Sequence, residues 1–165
     1  MSLNGKTIDF VVLAGSAGSA STNSSGIAMR AYTPFLAAGT WATGASFAGD
    51  ALYNASTDSG TIAIAKKATT LTYTGVLTGG PNKTVSLSAT LVDATGTPLS
   101  GRIVVFKLGS QTTQAATVDG VASISLKLTQ KNGSWPLTAT WTPSGDDAMH
   151  YLGSIDSKTF KLQSR

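Results

Sequence analysis

The sequence predicts an all-β fold: an antiparallel sandwich in one complete copy of about seven strands, preceded by an incomplete copy that lacks its first two strands. Three observations carry this prediction. The first is composition: 18 of the 165 residues are Gly, and all 8 acidic residues are Asp, with no Glu. Glu favours helices, whereas Asp, Ser, Thr and Gly favour turns and caps. The second is apolar alternation at period two between turn signals, the pattern of half-buried strands. The third is internal repetition.

Leu3-Asn4-Gly5-Lys6 returns as Leu99-Ser100-Gly101-Arg102, and Ile8-Asp9-Phe10 as Val104-Val105-Phe106. Gly26-Ile27-Ala28 matches Gly120-Val121-Ala122, and Gly39-Thr40-Trp41 matches Gly133-Ser134-Trp135. Ala45-Ser46-Phe47 answers to Ala139-Thr140-Trp141, and Asp58-Ser59-Gly60-Thr61-Ile62 to Asp156-Ser157-Lys158-Thr159-Phe160. A repeat this long implies tandem domains, each with its own core. The expected division is 1–66 for the incomplete copy and 67–165 for the complete one. Nothing before Leu3 corresponds to the stretch from Ala68 to Pro98.

Each strand of the complete copy has its own justification. Leu71, Tyr73 and Val76 form the first, closed by Gly79-Gly80-Pro81-Asn82. Val85, Leu87, Ala89 and Leu91 alternate with Ser86, Ser88 and Thr90 to give the second. Asp93 to Pro98 is a loop with Gly and Pro punctuation, and Ile103 to Leu108 is the third strand. A short strand near Thr112 to Thr117 ends at Asp119-Gly120, a strong hairpin signal. Ala122, Ile124, Leu126 and Leu128 mark the apolar side of the fifth strand. Trp135, Leu137, Ala139 and Trp141 mark that of the sixth, and Phe160 and Leu162 belong to the last. No helical stretch is expected.

Ala68-Thr69-Thr70-Leu71-Thr72-Tyr73-Thr74-Gly75, Val85 to Leu91, Gly133 to Ala139 and the Tyr151 to Ser154 region together resemble the bacterial Ig-like repeat domains. Gly39 to Ser56 is similar to the closing half of the same family. The likeness runs from Leu3 to Leu162 and departs from the family in the missing first third of copy one. It implies an Ig-like sandwich and a modular role in surface adhesins, large secreted proteins or phage virion proteins. Fold alone does not assign function.

Composition narrows the function classes. The net charge is +4, but the 12 Lys and Arg are scattered, with Lys66-Lys67 the one adjacent pair. Nucleic-acid binding would need a basic stripe, so no nucleic-acid partner is expected. There is no Cys, which removes disulfides and thiolate chemistry. No stretch reaches the ~18 apolar residues of a membrane helix, so no membrane insertion is expected. The start, Met1 to Lys6, does not read as a signal peptide. The expected location is extracellular or on the cell surface, with the export signal outside this chain, or alternatively in a phage virion.

Trp135, Leu137, Ala139 and Trp141 share one strand face, and Trp41 and Phe47 repeat it, which points to core and away from sugar stacking. Asp50, Asp146 and Asp147 stand in loops before Tyr53 and Tyr151, but their spacing lacks the alternating carboxylates of a calcium loop. Turn capping is their expected role. His150 is a lone loop His. No Gly-x-Ser-x-Gly elbow supports a Ser nucleophile. Gly15 to Ala20 resembles a phosphate loop but lacks its Lys, so a flexible hairpin loop is expected. The Asn-x-Ser/Thr sequences at Asn23, Asn54, Asn82 and Asn132 accord with a Ser- and Thr-rich composition. A Lys–Asn isopeptide crosslink is not expected, because Lys and Asp positions are mostly not shared between copies.

These readings converge on a non-enzymatic spacer or interaction module of a tandem array, with no catalytic residue, metal or cofactor. Ile64 to Thr69 leaves almost no free linker, favouring a stiff tandem. The alternative is a binding module proper: an adhesin tip, a carbohydrate binder or a virion decoration domain. Tyr32 and Phe35 are its candidate interaction residues, because copy two has Leu126-Lys127-Leu128 in that region. The expected partners are a protein or neighbouring chain that completes the first repeat, and a surface glycan. An incomplete sandwich leaves an apolar face and an unpaired edge, which recruit strands.

Overall fold

A computed structural model describes residues 3–33 and 36–163. The chain falls into two compact units, Met1–Ala65 and Lys66–Arg165. Unit 1 contains β1 (Thr7–Val12), β2 (Gly15–Ser21), β3 (Gly39–Phe47) and β4 (Ser56–Ile64). They form one antiparallel sheet in the order β2-β1-β3-β4.

Unit 2 contains β5 (Thr69–Tyr73), β6 (Thr78–Gly79), β7 (Thr84–Asp93), β8 (Ile103–Leu108), β9 (Gln111–Ala116), β10 (Val121–Lys127) and β11 (Gly133–Trp141). The one-turn helix α1 (Asp147–His150) and β12 (Ser154–Leu162) close it. A three-stranded sheet, β10-β7-β5, faces a five-stranded sheet, β6-β12-β11-β8-β9. The ladders are antiparallel except for the two-residue pairing of β6 with β12. The result is an all-β two-sheet sandwich.

The period-two pattern places the core. Leu87, Ala89 and Leu91 of β7 and Ala122 of β10 meet Val104, Phe106 and Leu108 of β8, Leu137, Ala139 and Trp141 of β11, and Phe160 and Leu162 of β12. Phe106 and Phe160 are fully buried, at 0% exposure. Asp119 and Gly120 both take positive φ, 49° and 78°, as the hairpin signal required.

Three expectations need correction. Residues 147–150 are helical, with Tyr151 N–H donating to Asp147 O at 2.8 Å. Gly15 to Ala20 is not a flexible loop but most of strand β2, because β1 supplies a hydrogen-bond ladder that outweighs the weak β-propensity of Gly, Ser and Ala. The turn that joins β1 to β2 is Leu13-Ala14, with φ of 49° and 59°. Trp135 packs against the core from its margin and is less buried than Trp141 at 3% exposure, because it sits near the start of β11 and its Nε1 donates to Lys131 O at 2.9 Å.

Candidate functional site

The sheet of unit 1 repeats four of the five strands of the larger sheet of unit 2, in the same order. β2-β1-β3-β4 corresponds to β9-β8-β11-β12. The register agrees row by row: Phe10 stands opposite Ala45 and Ala45 opposite Asp58, as Phe106 stands opposite Ala139 and Ala139 opposite Asp156. Trp41 faces Ile62 as Trp135 faces Phe160.

Side-chain hydrogen bonds repeat as well. The Thr22 hydroxyl donates to Leu3 O and accepts Lys6 N–H at 2.8 Å. The Thr117 hydroxyl donates to Leu99 O at 2.6 Å and accepts Arg102 N–H at 3.0 Å. Trp41 Nε1 donates to Ala37 O at 2.9 Å, as Trp135 does to Lys131 O. Lys6 pairs with Asp50 at 2.5 Å where Arg102 forks onto Asp147 at 2.6 and 2.9 Å.

What unit 1 lacks, among the described residues, is any counterpart of β5 and β7. Its inner face is therefore uncovered by a second sheet. Phe10, Val12, Ala45, Phe47, Ile62 and Ile64 are only half-buried, whereas Phe106, Leu108, Ala139, Trp141, Phe160 and Leu162 in the same places are buried. Ala17 is the one buried apolar side chain of unit 1 among the described residues.

Over this face runs residues 27–33, where unit 2 has β10. Asn23 N–H donates to Ile27 O at 2.9 Å, just as Val118 N–H donates to Val121 O, so Ile27 corresponds to Val121. Arg30 and Tyr32 then fall at the inward places of Ile124 and Leu126. Without a β7 to pair with, this segment is coil.

Arg30 instead reaches the edge strand β2. The β1–β2 register slips beside Phe10, leaving Ala17 without a partner across β1. Arg30 Nε donates to Ala17 O at 2.7 Å and Nη1 to Ser19 O at 3.3 Å. Gly18 admits the guanidinium: its φ is +91°, and a Cβ there would lie 2.4 Å from Arg30 Nε. A charge laid over an open edge hinders pairing by a stray strand.

Arg30, Tyr32, Phe10, Ala45, Asp58 and Ile62 help line an open cleft of about 380 Å³. Tyr32 sits at this cleft, 44% exposed. Phe35, its companion candidate, lies outside the described residues. Sequence reading missed Arg30 and Asp58 as members of the face; the signal was there, since both fall at inward positions once copy one is aligned on copy two.

The loop aspartates serve the fold. Asp50 Oδ1 accepts Leu52 and Tyr53 N–H at 2.8 and 2.9 Å, and the Lys6 ammonium, ahead of these amides, holds its carboxyl below the usual range. Lys6 Nζ also lies 4.9 Å from the Tyr53 ring centroid. Asp147 is taken by Arg102, and Tyr151 packs edge-on against Trp141 with ring centroids 6.1 Å apart. His150 Nδ1 lies 3.0 Å from Asp146 O. Among the described residues, no three His, Cys, Asp or Glu side chains gather as a metal site would need, and no helix is long and apolar enough to cross a membrane.

Compared with protein-family models and with curated proteins, the chain matches none. Among solved structures it is similar to the apo structure of Bacteroides uniformis beta-glucuronidase 3, at 17% identity and a TM-score of 0.32. The match covers 93% of this chain but spans only 21% of that one, and at such a score it carries no argument about function.

Proposed function

We propose that this chain is a non-enzymatic structural and interaction module, part of a tandem Ig-like array on a bacterial surface or secreted protein. The observation that carries this reading is the same four-stranded frame built twice, down to the Thr hydroxyl that ties Leu3 to Lys6 and Leu99 to Arg102. A repeated frame with divergent loops is what a modular array needs, since each unit keeps its geometry while its surface varies. The ionised groups with perturbed titration fit the same role: Asp50, Asp93 and Asp156 are each lowered by hydrogen bonds that hold a turn or strand in place.

A second reading is a binding module proper, an adhesin tip, carbohydrate binder or phage virion decoration domain. The exposed Tyr32 ring at the cleft of unit 1 favours it. A glycan array probed with the intact chain separates the two. No binding above background fits the spacer, and saturable binding lost in Tyr32→Ala would replace it with the binder.

A further inference from the structure

We propose that the outer edge of β2 is a self-association surface, held shut in the single chain by the Arg30 guanidinium, and that the strand it accepts once Arg30 is released is β2 of a second copy.

The direction of the β2 backbone follows from its hydrogen bonds. Thr22, just past the strand, donates its N–H to Lys6 O at 2.9 Å and accepts Gly5 N–H at 2.8 Å, so it faces the β1 side. Successive residues of a strand alternate in this respect, so Ser21 and Ser19 direct N–H and C=O away from β1. Ser19 O and Ala17 O are the two acceptors that Arg30 occupies, at 3.3 and 2.7 Å. The strand reads Gly-Ser-Ala-Gly-Ser-Ala-Ser, with no charge, no Pro and no side chain larger than that of Ser. Apart from the slip in register at Ala17, it has none of the devices that keep an edge from pairing, and Arg30 supplies one from another segment.

A second copy fits this edge by symmetry. With two β2 strands antiparallel about a two-fold axis and Ser19 opposite Ser19, each Ser19 N–H meets the other Ser19 O. Each Ser21 N–H then meets Ala17 O of the second copy. The acceptors needed are the same two carbonyls that Arg30 holds, so the latch and the second copy exclude one another.

Unit 2 shows that this seam is closed by a side chain even in a finished sandwich. Gln111 Nε2 on β9 donates to Lys127 O at the end of β10 at 2.8 Å, and its Oε1 accepts Thr129 N–H at 3.0 Å. Gly15 holds the place of Gln111, opposite Val12 as Gln111 is opposite Leu108, and has no side chain to offer. Arg30 ties the seam from the other side. Residues 66–98 of unit 2 supply β5, β6 and β7, and none of these pairs with β9, which stays an edge. Chain of that type ahead of Leu3 would leave β2 an edge as well.

The test is sedimentation of the full chain with hydrogen exchange at Ser19 and Ser21. Arg30→Ala, and Arg30→Gln as a milder release, should lower the dimer dissociation constant by about tenfold or more, the scale of a lost charge-assisted hydrogen bond. Exchange at the Ser19 and Ser21 amides should slow with the dimer. Ser21→Pro removes an outward N–H and spares the β1 ladder. Combined with Arg30→Ala it should restore the monomer, and alone it should leave sedimentation unchanged.

Arg30 variants that sediment as the unmodified chain does would overturn the proposal. Association that survives Ser21→Pro would place the contact on the open face or in unfolded chain, and overturn it too. A dimer of the unmodified chain with both amides already slow would show that Arg30 guards nothing.

Discussion

Asp156 accepts the Tyr73 amide, and this bond is the largest cause holding its carboxyl below the ordinary value of 3.8, with Lys158 adding to it. Asp93 is lowered by the Thr95 hydroxyl and by the Thr95 and Thr97 amides, which fold the loop after β7. A carboxyl whose folded value is depressed adds stability above its unfolded value and loses it as pH falls through the folded one. Unit 2 should therefore melt at progressively lower temperature from about pH 4 downward. Asp156→Ala should cost about 1–2 kcal/mol at neutral pH, the scale of a hydrogen bond to a charged group reduced by partial solvation. It should also flatten the acid dependence, while Asp58→Ala leaves both unchanged in the chain alone. Melting curves of the three proteins across the acid range check this; an equal loss in both variants would contradict it.

Strand β11 shows how far sequence periodicity reaches. Its alternation correctly put Leu137, Ala139 and Trp141 on the inner face, yet it assigned Trp135 the same burial. Period two reports the side of a sheet to which a residue points, but not whether the sheet above extends that far. Trp141→Ala should cost about 3–5 kcal/mol, as large truncations in a core do, and Trp135→Ala distinctly less. Urea unfolding of both variants measures the difference, and equal losses would put Trp135 in the core after all. The hairpin of β1 and β2 escaped sequence reading for another reason. Leu13-Ala14 occupies a turn with two positive φ values but lacks the Asn-Gly or Asp-Gly that announces one. Gly109 stands in the place of Leu13: its N–H donates to Pro136 O at 2.9 Å, as Leu13 N–H does to Ala42 O. L-residues pay sterically for such φ, so Leu13→Gly should stabilise the hairpin by up to about 1 kcal/mol. Slower exchange of β1 and β2 amides is the expected readout, and faster exchange would place the importance of Leu13 in its side chain. Arg30 and Asp58 were legible only through the repeat, because a charged residue on an inward row has meaning once the occupied row is known.

At the scale of the molecule, the two units differ in how much of themselves they can bury. Unit 2 closes two sheets over a continuous core from Leu71 to Leu162. Unit 1 offers one sheet whose inner residues stay half-buried, with Arg30 and Tyr32 as partial cover. A lone sheet of this size removes too little apolar surface from water to offset the entropy of ordering some sixty residues by a wide margin. Cooperative unfolding should therefore belong to unit 2. Specific unfolding enthalpy is nearly constant among globular proteins, at about 0.7 kcal/mol per residue near 60 °C. The main calorimetric transition should then carry about 70 kcal/mol, the value for roughly 100 residues, and not the roughly 115 kcal/mol of a chain that melts whole. Early proteolytic cuts should fall within residues 3–64, since cleavage under fast reclosing tracks the open population. A single transition near the larger enthalpy, with cuts spread evenly along the chain, would mean that the open face contributes as much stability as the closed one, and the division of the molecule into a finished and an unfinished sandwich would fail.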